Sequence, residues 1–124
     1  MDNNQRGTYA EYLFATECLK QGYNVSFPLM DSSIYDCIVD DGKKLYRVQI
    51  KSTIKVPAEN RNTINVPLQN NKSNYSIETV DFFAVYVERF KGFFVFKNIG
   101  EMKSIRLSLK GKNKIYFNNF VFDQ

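Results

Sequence analysis

Histidine is absent from the 124 residues, and this removes several classes of chemistry at once. Ser-His-Asp and Cys-His nucleophilic relays, and zinc sites built on imidazole, have no residue to stand on. Any hydrolytic centre must therefore use carboxylates, lysine and a hard cation held by oxygen ligands. Cysteine is scarce: Cys18 and Cys37 are the only two and lack metal-ligand spacing. Both are expected to be reduced and buried, not part of a disulfide framework. No apolar run approaches a membrane span, and the opening MDNNQRG is unlike a secretory signal. The expectation is a cytoplasmic protein with no membrane partner. Internal repeats and linkers are also missing, which leaves residues 1–124 as one domain.

What is present is an ordinary globular balance, 44% apolar and 24% charged, enough to bury a real core. The net charge of +4 and a pI near 9.0 suit an anionic partner such as nucleic acid. Between Glu101 and Asp123 there is no acid, while Lys103, Arg106, Lys110, Lys112 and Lys114 intervene. With Ile105, Leu107 and Leu109 among them, this stretch predicts a strand or hairpin with a basic outer face.

The informative stretch is 33–52, where two runs rich in β-branched and aromatic residues flank Asp41-Gly42, a strong hairpin signal. Strand side chains alternate. Tyr46, Val48 and Ile50 therefore share an apolar face, and Arg47, Gln49 and Lys51 point the other way. An even loop with Asp40 opposite Leu45 places Asp36 opposite Gln49, with Lys51 its diagonal neighbour. Opposed Cβ atoms lie about 4.5–5.5 Å apart, so an acid, an amide oxygen and an ammonium can share one ligand. An Asp entering a strand is equally a turn former, and Gln-x-Lys equally a solvated face.

A helix is predicted over 4–21, with Ala10, Leu13, Phe14 and Cys18 on one stripe and Gly22 closing it. Glu11 falls at the edge of the stripe and Glu17 nearer its centre, and the pattern alone does not choose between them as site acids. A short strand follows at 24–27, stopped by Pro28. The Asn-rich segment 53–76 contains Lys55, Arg61 and Lys72, which suit phosphate and groove contacts or a plain solvated loop. A short edge strand is expected at 63–66. Residues 80–88 and 93–97 predict a second hairpin. Its strands are apolar on both faces, so Phe82, Phe83, Tyr86, Phe93, Phe94 and Phe96 are read as core, some reaching a dimer contact. Asp81 reads as a strand-entry acid.

The order Asp36–x12–Gln49–x–Lys51, preceded by a helix carrying Ala10-Glu11, resembles the PD-(D/E)xK nuclease superfamily, above all its small Holliday junction resolvases and intron-associated endonucleases. The resemblance also runs through Gly7-Thr8-Tyr9, Gln21-Gly22-Tyr23-Asn24-Val25, Pro28 and Tyr35, with an echo at Val80 to Tyr86. Two positions depart from it: Ser32-Ser33-Ile34-Tyr35 stands where proline usually precedes the Asp, and Gln49 replaces an acid.

The resemblance implies an α/β (α+β) fold with a restriction-endonuclease-like core, a mixed sheet with the N-terminal helix packed on it. It implies an Mg²⁺-dependent endodeoxyribonuclease, with Mn²⁺ able to substitute, and it selects Glu11 over Glu17. Asp36, Glu11, Gln49 and the Ile50 carbonyl would hold the ion, and Lys51 would orient water or stabilise charge on the phosphate. Lys43, Lys44, Lys55, Arg61, Lys72, Lys110, Lys112 and Lys114 are the expected DNA contacts. With no separate reading module in so short a chain, four-way junction cleavage by a homodimer ranks first, with a tetramer as the alternative assembly. Sequence-specific homing or restriction-like cleavage is the second reading. A non-cleaving DNA-binding protein, to which a neutral Gln49 would be suited, is the third.

Overall fold

The computed structural model describes residues 1–71 and 73–123. Helix α1 (Asn3–Lys20) starts at a reciprocal cap: Asp2 accepts from the Gln5 backbone N–H at 2.8 Å, and the Gln5 side chain accepts from Asp2 N at 2.9 Å. Such a cap contributes about 1 kcal/mol. Beyond the helix, Gly22 takes φ 87°, a conformation that glycine adopts without strain. Strands β1 (Asn24–Ser26), β2 (Cys37–Asp40), β3 (Leu45–Thr53), β4 (Ile64–Pro67), β5 (Phe82–Val87), β6 (Gly92–Lys97) and β7 (Ser104–Leu107) follow.

Five of them form a mixed sheet in the order β1-β2-β3-β5-β6, with β3 and β5 parallel and the other neighbours antiparallel. The helix packs on one face, where Ala10, Phe14 and Cys18 meet Cys37, Val39, Tyr46, Val48, Ile50 and the returning Phe120 and Phe122. Phe14 is wholly buried and lies edge-on to Phe93 at 5.6 Å. Burial of this kind makes Phe→Ala cost about 3–5 kcal/mol. Both cysteines are free and buried, as the sequence predicts, and burial pushes the Cys18 thiol up to about 12.

The short edge strand expected at 63–66 is present on the second face as β4, which pairs with β7 in a separate two-stranded ribbon. Its inner residues Ile64, Val66 and Leu107 close over Phe83, Val85, Phe94 and Phe96. The six aromatics of the β5–β6 hairpin are thereby buried within one chain, and none of them is left to form a dimer contact. Coverage of both faces explains why β5 reads as one uninterrupted apolar run. The basic stretch after Glu101 yields the single strand β7 and then a 3₁₀ turn, Lys112–Tyr116, not a hairpin.

Candidate active site

The hairpin register is the expected one: Asp40 pairs with Leu45, Val39 with Tyr46 and Cys37 with Val48. The first strand, however, is shorter than the pattern suggests, beginning at Cys37. Asp36 ends it. Its N–H donates to the Val48 carbonyl at 2.9 Å, and its carboxylate Oδ2 takes the Ile50 N–H at 2.7 Å. A side chain thus occupies the place where a continued strand would offer a carbonyl. A gap opens beside β3 as a result, and Asp36 stands in it.

The alternation of β3 then sorts its groups. The Arg47 carbonyl accepts from Asp81 N, across towards β5, so the backbones of Gln49 and Lys51 face the same way. Val48 and Ile50 face Asp36, and a strand residue carries its N–H and C=O on one side. The Ile50 carbonyl therefore emerges on the edge where β2 has stopped. The Gln49 and Lys51 side chains lie on the face opposite α1. Glu11 approaches Asp36 from the helix side and Lys51 from the other, and each interacts electrostatically with it. Lys51 Nζ also lies 5.3 Å from the ring centroid of Tyr75. A cleft of about 410 Å³ opens at Glu11 and Asp36, walled by Thr8, Tyr12, Phe27 and Met30.

The protonation equilibria run against charge. Burial raises the Asp36 carboxyl above its ordinary value, and the Ile50 N–H and Lys51 only partly oppose this. Burial, then the negative charge of Asp36, raises Glu11. Burial lowers the Lys51 ammonium, with Asp36 opposing. Gln49 Oε1 is buried with no hydrogen-bond partner among the described residues, a group that costs stability unless something is bound there. A hard cation fits this donor set: two carboxylates, an amide oxygen and a carbonyl. Among the described residues no three Asp, Glu or Cys side chains cluster, and Mg²⁺ is commonly held by only one or two carboxylates.

The remaining residues fall elsewhere. Glu17 pairs with Lys20 at 3.3 Å on the helix surface, so it is not a site acid. Asp81 is bound to Arg47 and serves the fold. Lys43 and Lys44 sit at the hairpin tip, where Asp41 accepts from both backbone N–H groups. That is the far end of the hairpin from Asp36, about 16 Å away along five extended residues. Lys55 Nζ is bonded to the Asn65 carbonyl at 3.0 Å, and Arg61 is exposed in the following loop. Lys72 lies outside the described residues. Lys110, Lys112 and Lys114 are exposed by the β6 edge, two strands or about 10 Å from β3. Tyr75 escaped the sequence reading; its only signal was an isolated aromatic in a polar run.

A model of the PD-(D/E)XK endonuclease family matches residues 1–120. The chain belongs to that family. Among solved structures, it is similar to a bacterial homing endonuclease, I-Ssp6803I, with 27% identity and a TM-score of 0.75, over 94% of this chain and 87% of that one. It also resembles Hjc, a Holliday junction resolvase of Archaeoglobus fulgidus, at 12% identity and a TM-score of 0.52, over 89% and 86% of the two chains. The second likeness concerns the restriction-endonuclease-like fold alone. No curated protein matches closely enough to count as a relative.

Proposed function

We propose that this chain is a divalent-metal-dependent DNA endonuclease that hydrolyses phosphodiester bonds of linear duplex at a preferred sequence. Mg²⁺ is its ion, with Mn²⁺ able to substitute. The observation that carries the chemistry is the Asp36 carboxylate bound to the Ile50 N–H of β3, with Oε1 of the neighbouring Gln49 buried and, among the described residues, unpartnered. Asp36, Glu11, Gln49 and the Ile50 carbonyl would hold the ion. When bound, it supplies Lewis acidity and a lowered pKa for coordinated water. Lys51 faces the same centre, oriented by Asp36 and the Tyr75 ring. It donates to the attacking water or to the scissile phosphate, where a preorganised cation stabilises developing charge. Water adds at phosphorus, one P–O bond breaks, and the departing oxygen takes a proton. Gln49 carries one negative charge fewer than an acid would, so the free protein would bind its ion more weakly, and a DNA phosphate would supply the missing charge.

The choice of linear duplex over a four-way junction rests on the 27% identity to a homing endonuclease; the 12% likeness to a resolvase reaches only the fold. Each chain contributes one site, so cutting both strands in a single binding event would take two copies, a dimer or a pair within a tetramer. The test incubates the full chain with a randomised linear-duplex library and with four-way junction DNA, in Mg²⁺, Mn²⁺ or chelator. Recurrent cleavage of linear DNA at one motif, lost in chelator, supports the reading. Paired nicks confined to the junction overturn it in favour of resolution. Binding without cutting under every metal condition means a silent DNA-binding copy.

A further inference from the structure

We infer that the β4–β7 ribbon reads bases in the DNA major groove, with Asn65 and Arg106 as its specificity-determining residues. This rests on the reading of the chain as a sequence-directed endonuclease. In the ribbon, Ile64 pairs with Leu107 and Val66 with Ile105, and these residues face the core. Asn65 pairs directly with Arg106, and Pro67 with Ser104; all four are exposed. The inner face is sealed, with Ile64 2%, Val66 3% and Leu107 0% exposed, so the outer face is carried on a rigid base.

The two outward residues combine pinned backbones with free side chains. The Asn65 carbonyl accepts from Lys55 Nζ at 3.0 Å, and the Arg106 carbonyl accepts from Asn113 Nδ2 at 2.7 Å. Among the described residues, neither the Asn65 amide nor the Arg106 guanidinium has a side-chain hydrogen bond or ion pair. An exposed guanidinium with no acid partner beside an exposed amide is complementary to guanine and adenine edges, to which each residue type binds bidentately. A two-stranded ribbon fits a major groove about 12 Å wide. Opposed Cβ atoms about 4.5–5.5 Å apart suit neighbouring base pairs. Lys103, exposed at the end of the ribbon, suits a flanking phosphate.

The ribbon is also tied to the chemistry. It covers the sheet face that carries Gln49 and Lys51, sharing a cluster with Tyr75. Lys55, which holds Asn65, is four residues beyond Lys51 on the same chain run. Four extended residues span at most about 14 Å, which puts the bases read on the order of half a duplex turn from the cut.

The experiment selects cleaved sequences from a randomised linear-duplex library with wild-type protein, N65A, R106A and R106K, with circular dichroism as the folding control. The wild type should yield a motif containing adenine and guanine positions. N65A should lose the adenine preference and R106A the guanine preference. Each should bind the wild-type motif about five- to 150-fold more weakly. R106K should recover non-specific affinity without the guanine preference, because lysine lacks the planar fork. A motif that both alanine variants leave intact overturns the inference while the endonuclease reading stands. Full recovery of preference by R106K also overturns it, making Arg106 a phosphate anchor. No motif from the wild type, with cutting retained, overturns the sequence-directed reading and this inference with it.

Discussion

Arg47 and Lys51 project from the same face of β3, and each has one carboxylate neighbour, yet the two pairs are built to different ends. Arg47 is fully engaged with Asp81. Its guanidinium reaches both Asp81 oxygens at 2.9 and 3.0 Å, and it also donates to the Glu78 carbonyl; Asp81 additionally takes the Arg47 backbone N–H at 2.8 Å. Burial pushes the Asp81 carboxyl up, but hydrogen bonds and charge from Arg47 together outweigh it and hold Asp81 below its usual range, and Asp81 in turn raises Arg47. Each partner favours the other's charge. At Asp36 and Lys51 burial dominates, and both are pushed towards their neutral forms, beside an unpartnered amide oxygen. One pair is complete in the free protein; the other is the pair that the proposed function completes with a bound ion.

The largest expected effect comes from removing the incomplete pair. Asp36→Asn and Lys51→Ala should each lower cleavage by at least about 10³-fold, comparable to losing a preorganised charge-stabilising donor, with circular dichroism and DNA binding largely retained. Cutting at near wild-type rate by either variant under saturating metal would mean that the centre lies elsewhere. Breaking the complete pair should do the reverse. Arg47→Ala should destabilise folding by about 1–3 kcal/mol, since it leaves a part-buried carboxylate without its guanidinium donors, with only the backbone N–H of residue 47 remaining. Below its melting temperature it should still cut. Denaturant melts give the first number and a cleavage assay on the folded variant the second; a stable but inactive Arg47→Ala would place Arg47 in the reaction.

Gln49→Glu sharpens the distinction by adding the charge that the incomplete pair lacks. Divalent-ion affinity of the free protein should rise about tenfold, the effect of roughly 1.4 kcal/mol, read by calorimetry with Mg²⁺ and Mn²⁺. Unchanged affinity would remove Gln49 from the ligand set. In the absence of metal the same variant should be less stable than the wild type, because the new carboxylate shares the site with Asp36.

Much of this arrangement was legible in the sequence because it is local. Asp41-Gly42 and the period-2 pattern give the β2–β3 register from Asp40–Leu45 to Cys37–Val48, but not the expected pairing of Asp36 with Gln49, since Asp36 lies beyond the paired strand with its N–H on the Val48 carbonyl. The spacing of Ala10, Phe14 and Cys18 gives the helix, and the aromatic run gives β5–β6. What was hidden is non-local. The β4–β7 ribbon joins residues 64–67 to 104–107, with no turn chemistry to announce the pairing. Phe120 and Phe122 return to the helix face from a tail that reads as basic. The early end of β2 depends on a carboxylate taking a backbone N–H, which alternation cannot reveal. Gln49 shows the limit most clearly: its identity marks a departure from the family pattern, but only the fold shows its oxygen to be buried and unpartnered.

The smallest effect, and the most direct on the two pairs, is the pH dependence of stability in Asp36→Asn and Asp81→Asn. Asp81 titrates below its ordinary value of 3.8 when folded. Its contribution is therefore fully present above that value and is lost as pH falls through the lower, folded one. Asp36 titrates above 3.8, so the folded state holds its proton more tightly than the unfolded chain. Stability linked to Asp36 is greatest below 3.8 and declines as pH rises through the raised value; at neutral pH its ionised form is a burden. Without metal at neutral pH, Asp81→Asn should lower Tm and Asp36→Asn should raise it, each by about 2–5 °C. As pH falls, the Asp36 difference should shrink first, from the raised folded value down to 3.8, and the Asp81 difference only below 3.8, because each wild-type carboxylate becomes neutral like the amide that replaces it. Added Mg²⁺ should reverse the order for Asp36 alone, since only the wild-type carboxylate gains a ligand. Shifts of the same sign at neutral pH would show that both acids serve the fold, and Asp36 would lose its separate role.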